Sequence, residues 1–264
     1  MKLVRNTGTK LIQTEEEPQN LSTAKLHFAR FEFKYILGPE LRKELERELR
    51  YFLEFDPYVA SRSNHQYFVR SLYFDDPFYT CFWDKVEGIH TRSKFRVRTY
   101  TDNMSNGTAQ FLEIKGRYNN LVFKHRTPLS RDYITNDHGE QLIKKLRGAI
   151  PVCDVAKKFD YDLYRKRLMP VALVDYIRRP YISRFDPEFR LTFDSELHGT
   201  KTMALFPTEK GRKRRLLPGY TVMEIKFRRH IPSWFHRLIQ VYELRRVSVS
   251  KICHAMEALE IAHE

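Results

Sequence analysis

Three separate stretches of this chain read Glu-x-Lys: Glu32-x-Lys34, Glu113-x-Lys115 and Glu224-x-Lys226. Each sits in a run that alternates polar with apolar residues, as in Arg30-Phe31-Glu32-Phe33-Lys34-Tyr35. Alternation with a period of two is a strand signal, and residues two apart point to the same side of a strand. Each run therefore shows a carboxylate and an ammonium on one face and apolar side chains on the other. An ordinary half-buried strand needs only a wet outer face, with no particular polar residues. Further runs add cations: Arg96-x-Arg98, Lys124-x-Arg126, Arg178 and Arg190. One reading is a solvent-facing sheet with cross-strand ion pairs, which contribute little. The other is a sheet closed into a barrel with the charges inside. Its apolar faces (Phe31, Phe33, Phe95, Val97, Leu112, Ile114, Met223, Ile225) then pack outward against helices. The density of charge favours the second.

The rest of the chain fits one α+β domain. Strand patterns cover 30–35, 66–74, 94–100, 111–117, 121–126, 171–178, 188–194 and 221–228. Apolar residues at helical spacing mark 39–54, 139–146, 232–244 and 248–262, and 154–164 reads as helix or loop. The expectation is an antiparallel eight-stranded β-barrel tunnel with a charged lumen, flanked by helices. Residues 1–25 read as a flexible arm and 26–264 as the tunnel domain.

Charge limits the partners. The chain of 264 residues holds 47 Lys and Arg against 33 Asp and Glu, a formal net charge of +14, which favours polyanions. Buried charge requires pairing or a counter-ion. A phosphate chain with a divalent metal would meet both needs of such a lumen: cations bind phosphate oxygens and carboxylates bind hard metal ions. Cys81, Cys153 and Cys253 show no metal-ligand or disulfide spacing, and His65, His125, His230 and His236 show none among themselves. Trp83 and Trp234 read as core. The first 20 residues hold no signal-peptide core, and nothing approaches the length of a membrane span. The expected location is the cytoplasm.

The order and number of these motifs resemble the VTC domain, the polyphosphate-polymerase member of the triphosphate tunnel metalloenzyme superfamily. The stretches that carry the likeness are Arg30-x-Glu32-x-Lys34, Ser71-Leu72-Tyr73-Phe74-Asp75, Lys94 to Tyr100, Phe111 to Lys115, Val222 to Lys226 and Ser250-Lys251. The likeness runs from about Leu26 to the C-terminus. It implies that Lys34, Arg96, Arg98, Lys115, Arg178 and Arg190 position the reacting phosphates. Tyr176-x-Arg178 is the match for Arg178, with Arg179 one place out of register as the other choice. It implies further that Glu32, Lys124, Arg126, Lys226, Ser250 and Lys251 bind substrate, the last two at a helix start that itself favours anions. Glu224, with Glu113, is the implied holder of Mn²⁺ or Mg²⁺.

The implied reaction moves the γ-phosphate of ATP onto a growing polyphosphate chain, by positioning and electrostatics rather than a protein nucleophile. The sensing domain and membrane-spanning partners of the eukaryotic polymerase have no counterpart here, so a stand-alone, bacterial-type version is expected. Two other readings stay open. A hydrolase of triphosphates or tripolyphosphate would share the fold. A non-catalytic polyphosphate or nucleic-acid binder would suit the charge and the run Lys210-Gly211-Arg212-Lys213-Arg214-Arg215, although lumen carboxylates repel phosphate and argue against a dedicated binder. Nucleic acid is therefore not the expected partner. The basic run also reads as a solvated loop or a mouth that guides a phosphate chain.

Overall fold

The computed structural model describes residues 30–103, 109–119, 121–130, 136–208 and 211–263. The expected N-terminal arm, residues 1–25, lies outside them. Alternation makes Phe31–Leu37 the first strand, β1, and Pro39 opens α1 (Pro39–Leu49) directly after it. The fixed φ of proline suits a first helical turn, where no N–H partner is needed. There follow β2 (Leu53–Phe55), α2 (Pro57–Ala60), β3 (Tyr67–Asp75), α3 (Thr80–Val86), β4 (Thr91–Thr99), β5 (Gln110–Tyr118) and β6 (Leu121–Pro128). The second half holds α4 (Gly139–Ala149), α5 (Asp154–Lys166), β7 (Met169–Ser183), β8 (Arg190–Thr200), β9 (Lys213–Arg215), β10 (Thr221–Phe227), α6 (Ser233–Val241) and α7 (Lys251–Ala258).

The ten strands among the described residues join one antiparallel sheet in the order β1-β10-β8-β7-β3-β4-β5-β6, with β2 beside β7 and β9 beside β8. The expected closed eight-stranded barrel needs correction on both counts. Two short strands extend the sheet, and its end strands share no continuous ladder. The two ends meet at one bridge among the described residues, where Arg30, just before β1, and Val122 of β6 exchange backbone hydrogen bonds of 3.4 and 3.2 Å. Beyond that pair the link is made by side chains: Lys115 of β5 donates to both carboxylate oxygens of Glu32, at 2.8 and 3.1 Å.

Two apolar layers cover the outside of the sheet. Leu72, Phe74, Phe95, Val97, Leu112 and Ile114 pack on Leu142, Leu146, Val155, Phe159 and Leu163 of α4 and α5, so 154–164 is helix. Tyr35, Leu191, Phe193, Met223 and Ile225 pack on Leu45 and Leu49 of α1 and on Phe235 and Leu238 of α6. The third cluster lies on the other face. Val69, Tyr73, Val174, Tyr176 and Val222 pack with Ile252, Ala255, Met256 and Leu259 of α7 and the residue after it. By the period of two, Val222 shares a face with Glu224, and Tyr176 with Arg178. Helix α7 therefore lies on the charged, concave side and fills one part of it. Gly199 of β8 permits the approach: a Cβ there would lie 3.0 Å from the Ala255 Cβ.

Smaller differences have local causes. The 39–54 pattern divides because Leu53–Phe55 pairs with β7. Lys213–Arg215 of the basic run is a strand, held by β8, and Lys210 lies outside the described residues. Trp83 is 38% exposed rather than core, whereas Trp234 stacks on Phe52. No helix among the described residues is long and apolar enough to cross a membrane.

Candidate functional site

Antiparallel register sets the charged residues against one another on the concave face. Glu32 lies opposite Lys226 and Lys34 opposite Glu224. Lys226 in turn faces Arg190, and Arg178 faces Asp194. Across the other half, Tyr73 faces Arg96, Arg96 faces Glu113, and Lys115 faces both Lys94 and Lys124. Apart from Glu113 and Asp194, these residues line a cavity of about 590 Å³. Among the described residues its wall carries sixteen lysines and arginines against two carboxylates, Glu32 and Glu224.

Four acids, Glu113, Asp194, Glu32 and Glu224, organise the cations into networks. Glu113 is fully buried; Arg96 donates to its Oε2 through Nε and Nη2, each at 2.7 Å, Lys124 pairs with Oε1 at 2.5 Å, and Arg98 lies 3.8 Å away. Asp194, also fully buried, receives a fork of two 2.7 Å hydrogen bonds from Arg178 and an ion pair of 2.7 Å from Lys251. Such a fork fixes the guanidinium plane as well as its charge. Glu32 pairs with Lys115 and, at 3.5 Å, with Lys34, and Glu224 pairs with Lys226.

The start of α7 completes this wall. The Ser250 hydroxyl caps the helix by accepting from the Cys253 N–H at 3.5 Å. Lys94 reaches both residues, with Nζ 3.3 Å from Ser250 Oγ and 3.1 Å from Cys253 Sγ. Lys34 donates to the Val249 carbonyl at 2.7 Å. Lys251 and Arg178 also lie over the Tyr176 ring, 4.9 and 5.3 Å from its centroid.

Mutual pairing sets the protonation states. Burial and the nearby Glu224 would raise Glu32, but Lys115, Lys34 and Lys226 hold it down at about 2. Against burial, Arg178 and Lys251 hold Asp194 at about 2, and Lys226, Lys115 and Lys34 hold Glu224 well below the carboxylate range. Glu113 is lowered in the same way by Arg96, Arg98 and Lys124. The lysines pay for crowding. Burial takes Lys34 down to about 8, against the pull of Glu32 and with the push of Lys115. Burial takes Lys124 down to about 7, with Glu113 opposing and Arg96 and Arg98 adding to the fall.

Of the residues singled out from the sequence, Glu32, Lys34, Arg96, Arg98, Lys115, Lys124, Arg126, Arg178, Arg190, Glu224, Lys226, Ser250 and Lys251 all line the cavity. Arg126 and Arg190 are exposed and stand at its rim. Arg179 turns to the other face and donates to Glu46 of α1 at 3.0 Å, so the structure brings Arg178 to the cavity. Glu113 does not line it. Its expected pairing with Glu224 around a metal is not met by this geometry, because its oxygens are held by Arg96 and Lys124 behind the wall. Sequence reasoning missed Arg30, Tyr73, Arg92, Lys94, Arg117 and Tyr176 as lining residues, and Asp194 as an organiser. The period of two could have found most of them, since Arg92 and Lys94 precede Arg96 on one face. Lys85 of α3 and Arg246 lie off the strands, where no such signal exists.

The donor set bears on a metal. No three His, Cys, Asp or Glu residues cluster as a metal site among the described residues. The wall thus does not fit a cation held by protein alone. It does fit one that phosphate oxygens hold, since Mg²⁺ commonly takes only one or two carboxylates with substrate phosphates. Glu32 and Glu224 are the carboxylates that line the cavity among the described residues, within reach of what it holds.

The family model described as VTC domain matches residues 29–260. A candidate adenylate cyclase from Bacillus halodurans is similar in structure, with a TM-score of 0.51 at 14% identity over 84% of this chain and 93% of that one. It shares the fold. A protein from Pyrococcus horikoshii aligns over 82% of this chain and 92% of its own at 14% identity, with a TM-score of 0.40. No curated protein matches the sequence.

Proposed function

The chain belongs to the VTC domain family, and on that footing we propose that it is a polyphosphate polymerase that adds the γ-phosphate of ATP to a polyphosphate chain. The observation that carries this reading is the cavity wall: cations from seven strands and the start of α7 converge on one space, with carboxylates placed among them in fixed pairs. We read the concave sheet as a tunnel, supported by the Arg30–Val122 bridge and the Glu32–Lys115 pair that link its ends.

The chemistry needs no protein nucleophile. A terminal phosphate oxygen of the chain attacks the γ-phosphorus, the bond to the bridging oxygen of the β-phosphate breaks, and ADP leaves. Arg96, Arg98, Lys115 and Arg178 hold the phosphates in line and face the equatorial oxygens as charge spreads over them. Glu113 and Asp194 keep Arg96 and Arg178 in place before substrate arrives, so little reorganisation is left for the reaction. Lys34, Lys124, Lys226, Ser250 and Lys251 bind flanking phosphates, with Arg126 and Arg190 at the rim. Glu224 would hold a divalent cation, Mn²⁺ or Mg²⁺, together with the phosphates, and such an ion would supply neutralisation of charge on the transferring group.

A hydrolase of the same fold is the second reading, favoured by one observation: Asp194 adds a further acid to the concave face. It is a weak argument for a water site, because Arg178 and Lys251 occupy both its oxygens. Incubation with ATP and Mn²⁺ separates the two. Long phosphate chains with matching ADP are expected on a gel; free phosphate without chains refutes the polymerase. Glu224→Gln is expected to abolish turnover that depends on metal, and full activity would refute the role of Glu224.

A further inference from the structure

Tyr73 stands on β3 between Arg96 of β4 and Ala172 of β7. It is only 7% exposed, and its ring belongs to the apolar cluster under α7. Its hydroxyl reaches the cavity, 2.9 Å from Arg96 Nη1. A guanidinium has donors and no acceptor. In this contact the phenol oxygen must therefore accept, and its own proton must point elsewhere. The groups facing it are Arg96 and Arg98 of β4 and Lys251 of α7, with Glu113 of β5 engaged beyond Arg96. The cations are donors only. Among the described residues the one hydrogen bond of the Tyr73 hydroxyl is the bond it accepts from Arg96, and it donates to none. A buried donor without an acceptor is costly, so the missing partner belongs to whatever fills the cavity.

We propose that the Tyr73 hydroxyl is a phosphate ligand of this cavity, donating its proton to a non-bridging oxygen of the bound phosphate chain. This rests on the reading of the cavity as a phosphate cage. Phosphate oxygens offer acceptors alone, which is what the site lacks, and the acceptor bond from Arg96 aims the donor. The same cations give the contact a signature. Burial raises the phenol, but Arg96, Arg98 and Lys251 pull it down to about 8. In the empty cavity the donor is therefore lost as pH rises through that value, whereas a phenylalanine has nothing to lose.

The test is calorimetric titration of the full chain, wild type and Tyr73→Phe, with inorganic tripolyphosphate from pH 7 to 9.5, without ATP. At pH 7 the variant is expected to bind about ten- to a hundredfold more weakly, the value of a hydrogen bond to a charged group. That gap is expected to narrow above pH 8. A fluorinated tyrosine at position 73, more acidic and nearly the same shape, moves the narrowing to lower pH and keeps the test valid should Tyr73→Phe fold poorly. Equal affinities at pH 7, or a gap that does not change with pH, overturn the inference and leave the cage standing. Failure of the wild type to bind tripolyphosphate overturns the cage and the inference together.

Discussion

Replacing Glu113 by glutamine separates two roles that the sequence could not distinguish. As a metal ligand, Glu113 would matter for metal response and little for folding. As the counter-ion of Arg96, Lys124 and Arg98, it would matter for folding first. The structure sets the size of the second effect. The carboxylate is fully buried, with two contacts of 2.7 Å to Arg96 and one of 2.5 Å to Lys124. Removing one member of a buried ion pair costs about 3–5 kcal/mol, because the remaining charge stays desolvated. Lys124 softens the loss: burial already has it at about 7, so it can shed its proton once the carboxylate is gone. The lower part of the range is therefore expected. For a domain of this size each kcal/mol moves the melting temperature by about 2–4 °C, which gives a fall of roughly 6–12 °C.

Thermal unfolding with and without tripolyphosphate reads both halves of the argument. Without ligand, Glu113→Gln melts lower than wild type. With ligand, it gains more than wild type, since phosphate brings the negative charge that Arg96 and Lys124 have lost. The Mn²⁺ concentration needed for half-maximal turnover stays the same. A melting temperature within about 2 °C of wild type, together with a weakened Mn²⁺ response, would refute the counter-ion reading and return Glu113 to the metal.

Other outcomes follow from the same contacts. Asp194→Asn leaves Arg178 and Lys251 without their shared partner, for an expected cost of about 3–5 kcal/mol, and speeds hydrogen exchange in α7; unchanged exchange there refutes its part in holding the helix. Gly199→Ala forces a methyl to 3.0 Å from Ala255 and is expected to destabilise by about 1–3 kcal/mol in denaturant unfolding. Stability is also expected to fall in acid. Glu32 and Asp194 sit near 2 in the folded state, below their ordinary 4.5 and 3.8, so their contribution is complete above about pH 5 and is lost as pH falls towards 2. By those shifts Glu32 is worth roughly 3 kcal/mol and Asp194 roughly 2 kcal/mol, and a denaturation midpoint that stays flat from pH 5 to 2.5 would contradict the pairing.

Much of this site was legible because strands carry a period of two. The Glu-x-Lys and Arg-x-Arg runs placed Glu32, Lys34, Arg96, Arg98, Lys115 and Lys226 on one face before any fold was known. Their apolar neighbours, such as Phe95, Leu112 and Met223, went to the outside as the same rule requires. What it could not convey was depth. Glu113 and Glu224 have the same local pattern, yet one lies behind the wall and the other faces the cavity, because long-range neighbours decide which charge is covered. The register between Arg178 and Arg179 was likewise set from elsewhere, by Glu46 on α1. The end-strand contact depends on how a twisted sheet brings β1 to β6, which no local pattern encodes.

The position of the acids gives the arrangement its logic. A cavity lined by cations must fold before its phosphate arrives, and unpaired cations at this density would repel one another. Lysines meet that problem by titration, as the lowered Lys34 and Lys124 show. Arginines cannot, since they stay protonated throughout. The buried acids are placed accordingly: Glu113 serves Arg96 and Asp194 serves Arg178, both by short contacts from Nε and a terminal nitrogen. Those guanidiniums keep their outer edges for substrate and need no new counter-ion when the cavity empties. Lys34 beside Glu32 and Lys124 beside Glu113 are the adjustable part, able to take up protons as phosphate enters. Binding is therefore expected to draw protons from solution at pH 8, measured as a dependence of calorimetric heat on buffer ionisation enthalpy. Heat that is independent of buffer would mean that the lysines were already charged, and that the acids alone balance the empty cavity.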